Sequence, residues 1–179
     1  YLGTFQYTPG YSSNAALYFN VPAGVDPLSL PQDAASSIEA NASMFLVELD
    51  APSRRIPIEW EIEEEGTSFL PAGTVTVLPL LGAIVQGSAA LVVTSDSTDK
   101  DGNPLGGSED MRALVSCGSL ADESLIERVP DCTPYRELRE ALGLTEEQVA
   151  LMQIFTPYDS ATELQKAQEA LEAMPAPVM

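Results

Sequence analysis

The seven residues Ile56–Ile62, I-P-I-E-W-E-I, alternate in character. Ile56, Ile58, Trp60 and Ile62 share one face, and Glu59 and Glu61 share the other. Successive Cβ atoms of an extended chain point to opposite sides, so a period of two predicts a strand with one face in a core and one in water. Pro57 has no N–H to give a neighbouring strand, which moves the start of this strand toward a sheet edge. Further runs with strand character are Ala15–Val21, Ser43–Leu49, Thr74–Leu80 and Ala89–Ser95, with Met111–Val115 as a short last strand. The turn residues D-A-P-S-R at Asp50–Arg54 join Ser43–Leu49 to Ile56–Ile62 as an antiparallel hairpin. Short strands with Pro- and Gly-rich connections and no helix between them predict a mainly β fold. The expected architecture is an antiparallel β-sandwich over residues 1–116.

The pattern changes after Cys132. Thr133-Pro134 offers a helix start with proline at the first helical position, Tyr135, Leu138 and Leu142 follow at helical spacing, and Gly143 closes the turn. Thr145-Glu146-Glu147-Gln148 has the form of a capping box, with Leu144 and Val149 as its staple, and predicts a second helix to about Phe155. Ser160-Ala161-Thr162-Glu163 is another such box, followed by the apolar stripe Leu164, Ala167, Leu171 and Met174. Residues 133–179 therefore read as about three short helices and a Pro-rich linker. Residues 117–132 form a loop between them and the β-domain. Helices this short are marginal alone in water, so their apolar stripes need a cover.

Charge and composition remove whole classes of function. The 179 residues hold 27 acids against 8 basic residues, a net charge of −19. Such a surface repels phosphate backbones, which argues against a nucleic-acid partner. No apolar run approaches the roughly 20 residues of a membrane-spanning helix. Histidine is absent, so a Ser-His-Asp triad, a Cys-His dyad and a His-ligated zinc site are all excluded. No nucleophile elbow, phosphate-binding loop or dinucleotide fingerprint is present. The expectation is a chain without catalytic residues of its own.

Cys117 and Cys132 bound the loop C-G-S-L-A-D-E-S-L-I-E-R-V-P-D-C. A disulfide between them is the favoured reading, because two cysteines in one irregular stretch suit an oxidising compartment; the alternative is two unpaired buried thiols. The start at Tyr1 without a leader reads as a mature or trimmed product. Together these predict a secreted, periplasmic or cell-surface protein, although few lysines and many acids equally suit a salt-adapted proteome.

One stretch has metal-ligand spacing. Asp96, Asp99 and Asp101 precede Gly102 in D-S-T-D-K-D-G-N and are weak calcium candidates. Ser97 at the first ligand position and Ser108 at the last fit poorly, and the competing reading is a strand-to-strand turn built on Asp-Gly and Asn-Pro. No other cofactor is expected. Glu63-Glu64-Glu65 reads as a solvated strand end, and Trp60 as a core residue in preference to a sugar-stacking platform. Tyr1, Phe5, Tyr7, Tyr11 and Tyr18 form either a binding patch or a cover for one end of the sandwich.

The stretch A-L-V-V-T-S-D-S-T-D-K-D-G-N-P-L-G-G-S-E-D-M-R-A-L, from Ala90, resembles the last strands of a bacterial Ig-like module. L-Y-F-N-V-P-A-G-V-D-P-L-S-L-P, S-M-F-L-V-E-L-D, R-R-I-P-I-E-W-E-I and F-L-P-A-G-T-V-T-V-L-P-L-L-G-A-I resemble successive strands of the N-terminal domain of secreted bacterial lipases of the virulence-factor type. Y-R-E-L-R-E-A-L-G-L-T-E-E-Q-V-A-L-M-Q-I-F-T-P-Y-D-S-A-T-E-L resembles the helices that follow it there. The resemblance implies an Ig-like accessory domain and a separate hydrolase domain as its partner. The catalytic serine, aspartate and histidine of that family have no counterpart here. The expected function is a non-catalytic spacer or docking domain, in which the last helices bury Leu164, Leu171 and Met174 against the hydrolase domain. The rival expectations are an extracellular binding or adhesion module, calcium-stabilised through Asp96–Asp101, and a self-assembling structural protein that pairs strands near Phe5–Tyr7. A hydrolase using Asp and Glu alone ranks last.

Overall fold

A computed structural model describes residues 15–80, 87–118, 131–157, 165–166 and 168–170. The strands are β1 (Leu17–Asn20), β2 (Met44–Glu48), β3 (Ala51–Ile56), β4 (Ile58–Glu63), β5 (Thr74–Pro79), β6 (Ala89–Thr94) and β7 (Val149–Phe155). Two helices are α1 (Glu109–Ser116) and α2 (Thr133–Ala141), and residues 165–166 and 168–170 are also helical. All strand pairs are antiparallel. They form a three-stranded sheet in the order β1-β5-β4 and a four-stranded sheet in the order β3-β2-β6-β7. The protein is thus mainly β, as its strand runs predict.

Two cores hold these layers. Leu17, Ile58, Val75 and Val77 from the three-stranded sheet meet Met44, Leu46, Leu91 and Val93 from the four-stranded sheet. On the back of the four-stranded sheet, Phe45, Val47, Ala90 and Val92 meet Val115 of α1 and Leu138 of α2. Alternate residues of β2 and β6 therefore serve different cores, and both strands are buried along their whole length. A strand covered on both faces needs a continuous apolar run, while β4, wet on one face, keeps Glu59 and Glu61 exposed.

The expected hairpin takes a different path. β2 pairs with Ala51–Ile56, Leu46 opposite Ile56, so the turn sits at Leu49–Asp50 and the expected turn residues 51–54 are strand. At Pro57 the chain leaves this sheet, and Ile58–Glu63 pairs with β5 in the other. Proline makes the break, since it cannot donate to a ladder. As expected, β4 lies at a sheet edge among the described residues. Its first N–H is accepted by the fully buried Ser37 Oγ (3.1 Å), which donates to the Ala34 carbonyl (2.8 Å).

Two other expectations are corrected. Met111–Val115 is helix, not strand. Ser108 caps it by accepting the Met111 N–H (3.0 Å), and Glu109 and Asp110 occupy the first turn, where acids suit the helix dipole. Residues 149–155 are strand, not helix. The Thr145–Gln148 box does form, since Gln148 Oε1 accepts the Thr145 N–H (2.9 Å), yet it closes a single turn. The chain then pairs with β6, from Ala89 opposite Phe155 to Thr94 opposite Val149. The four-stranded sheet thus draws its last strand from beyond residue 116. The helix expected after Thr133 is present, and Gly143 (φ +68°) follows it in the left-handed conformation that favours glycine. Leu164, Ala167, Leu171 and Met174 lie outside the described residues, as do Tyr1, Phe5, Tyr7 and Tyr11.

Candidate binding surface

Cys117 and Cys132 are joined, with Cα atoms 5.3 Å apart. The bond fastens the end of α1 to the start of α2. Cys117 adopts φ 57°, the one described non-glycine residue with positive φ. It serves as the C-cap of α1, and its N–H and that of Gly118 return to Leu114 and Ala113. At the other end of the loop, Asp131 Oδ1 accepts the Thr133 N–H (2.9 Å) as α2 begins. That bond holds the Asp131 carboxyl below the ordinary carboxylate range.

The calcium candidates do not converge. Asp99 Oδ1 accepts the N–H groups of Asp101 (2.9 Å) and Asn103 (2.8 Å), and the Asn103 amide donates to both its oxygens (3.2 and 3.0 Å). The Asn103 side chain above all lowers the pKa of this carboxyl, because each of these bonds favours the charged form. Gly102, at φ +82°, completes the turn. Asp101 is exposed beside it. Asp96 lies apart, on a depression of about 290 Å³ shared with Glu39, Asn41 and Ser43. Among the described residues no three Asp, Glu or Cys side chains group as metal ligands. The stretch forms a turn on Asp-Gly and Asn-Pro, as the competing reading has it, but it leads from β6 into α1 and not into another strand.

The hydroxyls near that depression are committed inward. Ser29 Oγ donates to the Asp26 carbonyl (2.7 Å) and accepts the Thr98 N–H (3.0 Å), while Ser43 Oγ donates to the Ser29 carbonyl (2.5 Å). They hold residues 26–30 against Thr98 and against Ser43 at the start of β2. Glu63 Oε1 accepts the Gly66 N–H (3.1 Å), and Glu64 faces Lys100 at 3.7 Å with both side chains exposed. Trp60 is half-buried against the first core and donates to the Pro31 carbonyl (2.6 Å), so its indole fastens the sheet to residues 27–31. Arg55 stacks its guanidinium 3.7 Å from the centre of the buried Phe45 ring and donates to the Glu39 and Ala40 carbonyls. Burial of Arg55 lowers its pKa.

One concave surface is free of charge. A groove of about 330 Å³ runs between the end of β1 and the first half of β7, with Phe19, Val21, Val93, Leu105, Ala150 and Leu151 among its walls. None of its lining residues is ionisable, although the chain carries 27 acids and 8 basic residues. Its size and apolar lining lie in the range of binding clefts. Ser108 and Met111 also line it. Local sequence signals do not single these residues out, because they place Leu151 and Met111 in the wrong kind of element. The signal that could have found them is the lack of charge in β1 and in Val149–Phe155.

Among the described residues no helix is long and apolar enough to cross a membrane. Compared with known proteins, the chain matches no family model, no curated protein and no solved structure.

Proposed function

We propose that this chain is a non-catalytic accessory module, an Ig-like spacer and docking domain of a secreted or surface-anchored bacterial lipase or esterase. One observation carries the docking role: the uncharged, apolar groove just described sits in a chain of net charge −19. A rigid body with two cores, cross-linked at Cys117–Cys132, suits a part that holds another part in place. The disulfide also supports an oxidising compartment. The lipase assignment is supported by the ordered strand motifs from Leu17 to Ile84 and the D-G-N-P-L turn at Asp101–Leu105. The partner in this reading is the hydrolase domain of the same protein.

The purified chain is expected to leave short-chain nitrophenyl esters intact. Turnover that persists through repurification and scales with the concentration of this chain would overturn the reading.

A further inference from the structure

The helical layer and the sandwich are built separately. Among the described residues, the first core, which joins the two sheets, takes none from α1 or α2. The ladders of both sheets likewise run from strand to strand. The helices enter the second core alone. Their buried residues are Leu114, Val115 and Leu138, with Met111 and Tyr135 packed beside that core. Helices of 8 and 9 residues are too short to persist by themselves in water. Their place therefore depends on this contact and on the Cys117–Cys132 bond. The Tyr135 phenol also hydrogen-bonds the Ile154 backbone, a tie that water can replace at small net cost.

Two features distinguish this bond from a buried staple. Both cysteines are partly exposed, and Gly118 and Asp131 beside them are exposed, so a small thiol can reach the sulfurs. Cys117 also holds a left-handed conformation (φ 57°) at the end of α1, which residues other than glycine adopt at a cost. Exposed or strained disulfides are the ones that reductants open. We propose that Cys117–Cys132 is a redox switch, whose reduction releases α1 and α2 from the back of the four-stranded sheet while the sandwich stays folded. The reductant is a dithiol. One of its thiolates attacks a sulfur of the pair, forms a mixed disulfide and expels the other cysteine as a thiolate. Its second thiolate then displaces the remaining cysteine. The dithiol ends as a disulfide and the chain as two thiols, so two electrons and two protons have moved. The freed loop regains the conformational entropy that the bond withheld, and three buried side chains do not offset it. Release uncovers Val47, Ala90, Val92 and Met152, apolar side chains that the oxidised chain hides.

The full chain, with and without dithiothreitol and in the absence of denaturant, tests this. Amide exchange reports on α1 and α2, and Trp60, the single tryptophan, reports on the first core. Reductant is expected to lower protection in residues 109–116 and 133–141 by at least about tenfold. The β4–β5 ladder stays protected, the Trp60 fluorescence stays native, and a dye that binds exposed apolar surface lights up. Reoxidation restores the starting pattern. The double variant Cys117→Ala, Cys132→Ala is expected to match the reduced chain and to ignore dithiothreitol. Should that variant not fold, reduction and reoxidation of the unaltered chain carry the test alone. Unchanged protection of the helices in reductant would overturn the proposal. So would loss of the β4–β5 protection or the native Trp60 signal together with the helices, which makes the bond a staple for the whole fold. A response to dithiothreitol that persists in the double variant would overturn it equally. Ester turnover would remove the accessory reading and leave a positive result here standing.

Discussion

The carboxylate of Asp99 is held charged by donors from its own loop, and Asp33 and Asp131 are held the same way. For Asp33 the largest contribution is the Ser36 backbone N–H, and for Asp131 it is the Thr133 backbone N–H. All three have folded-state pKa values below the ordinary 3.8. A depressed value means the unfolded chain binds protons first as the pH falls. The stabilisation is therefore complete above the unfolded value and is lost as the pH drops through the folded one. Asp99→Ala should lower the melting temperature at pH 7 and flatten its fall as the pH drops below about 4. Thermal melts across that range check it, and parallel curves for the two proteins would show that the Asn103 bonds carry none of the pH dependence. The D-G-N-P turn was legible at this scale, because Asp and Asn side chains bond nearby backbone whatever the rest of the chain does. The burial of Ser37 was not, since its partner, the Ile58 N–H, is 21 residues away.

At the scale of elements, α1 and α2 form a separate layer whose ends the disulfide fastens together. Both helices are short, 8 and 9 residues, and depend on the back of the four-stranded sheet for burial. Replacing Cys117 and Cys132 by alanine frees a loop with a sequence separation of 15. A loss of about 3 kcal/mol in a denaturant titration is expected from the chain-entropy model. An unchanged midpoint would show that the helical layer needs no fastening. The Thr145–Gln148 segment shows how far local signals reach. Its side-chain cap forms as the motif predicts, and one turn later the ladder with Ala89–Thr94 claims the chain. Val149, Met152 and Phe155 are all buried in that pairing. Their spacing of three suggests a helix, and a shift of register between Val93 and Thr94 accompanies it.

The whole molecule carries its charge unevenly. Acids decorate β4 and the loops, while β1, β7 and the groove between them carry none. A net −19 in a compact body repels itself, and salt relieves the repulsion by shortening the screening length from ~30 Å at 0.01 M to ~8 Å at 0.15 M. The melting temperature should rise by a few degrees over that range. Calorimetry at the two salt concentrations checks it, and a constant or falling value would mean that ion pairs such as Arg54–Glu48, at 3.2 Å, outweigh the repulsion.

Sequence alone determined that the chain is mainly β, where five of its strand segments lie, and that histidine chemistry is excluded, and it favoured a Cys117–Cys132 disulfide that the structure then forms. Those properties are set by residue type and by side-chain alternation within a few positions. Tertiary structure decided that Pro57 divides one apparent strand between two sheets, that residues 109–116 form a helix, and that residues 149–155 extend to complete a sheet begun far earlier in the chain. The physical reason is that a short segment gains more from burying its side chains against a distant partner than local preference can oppose. The partner's position is a property of the folded chain and not of the segment.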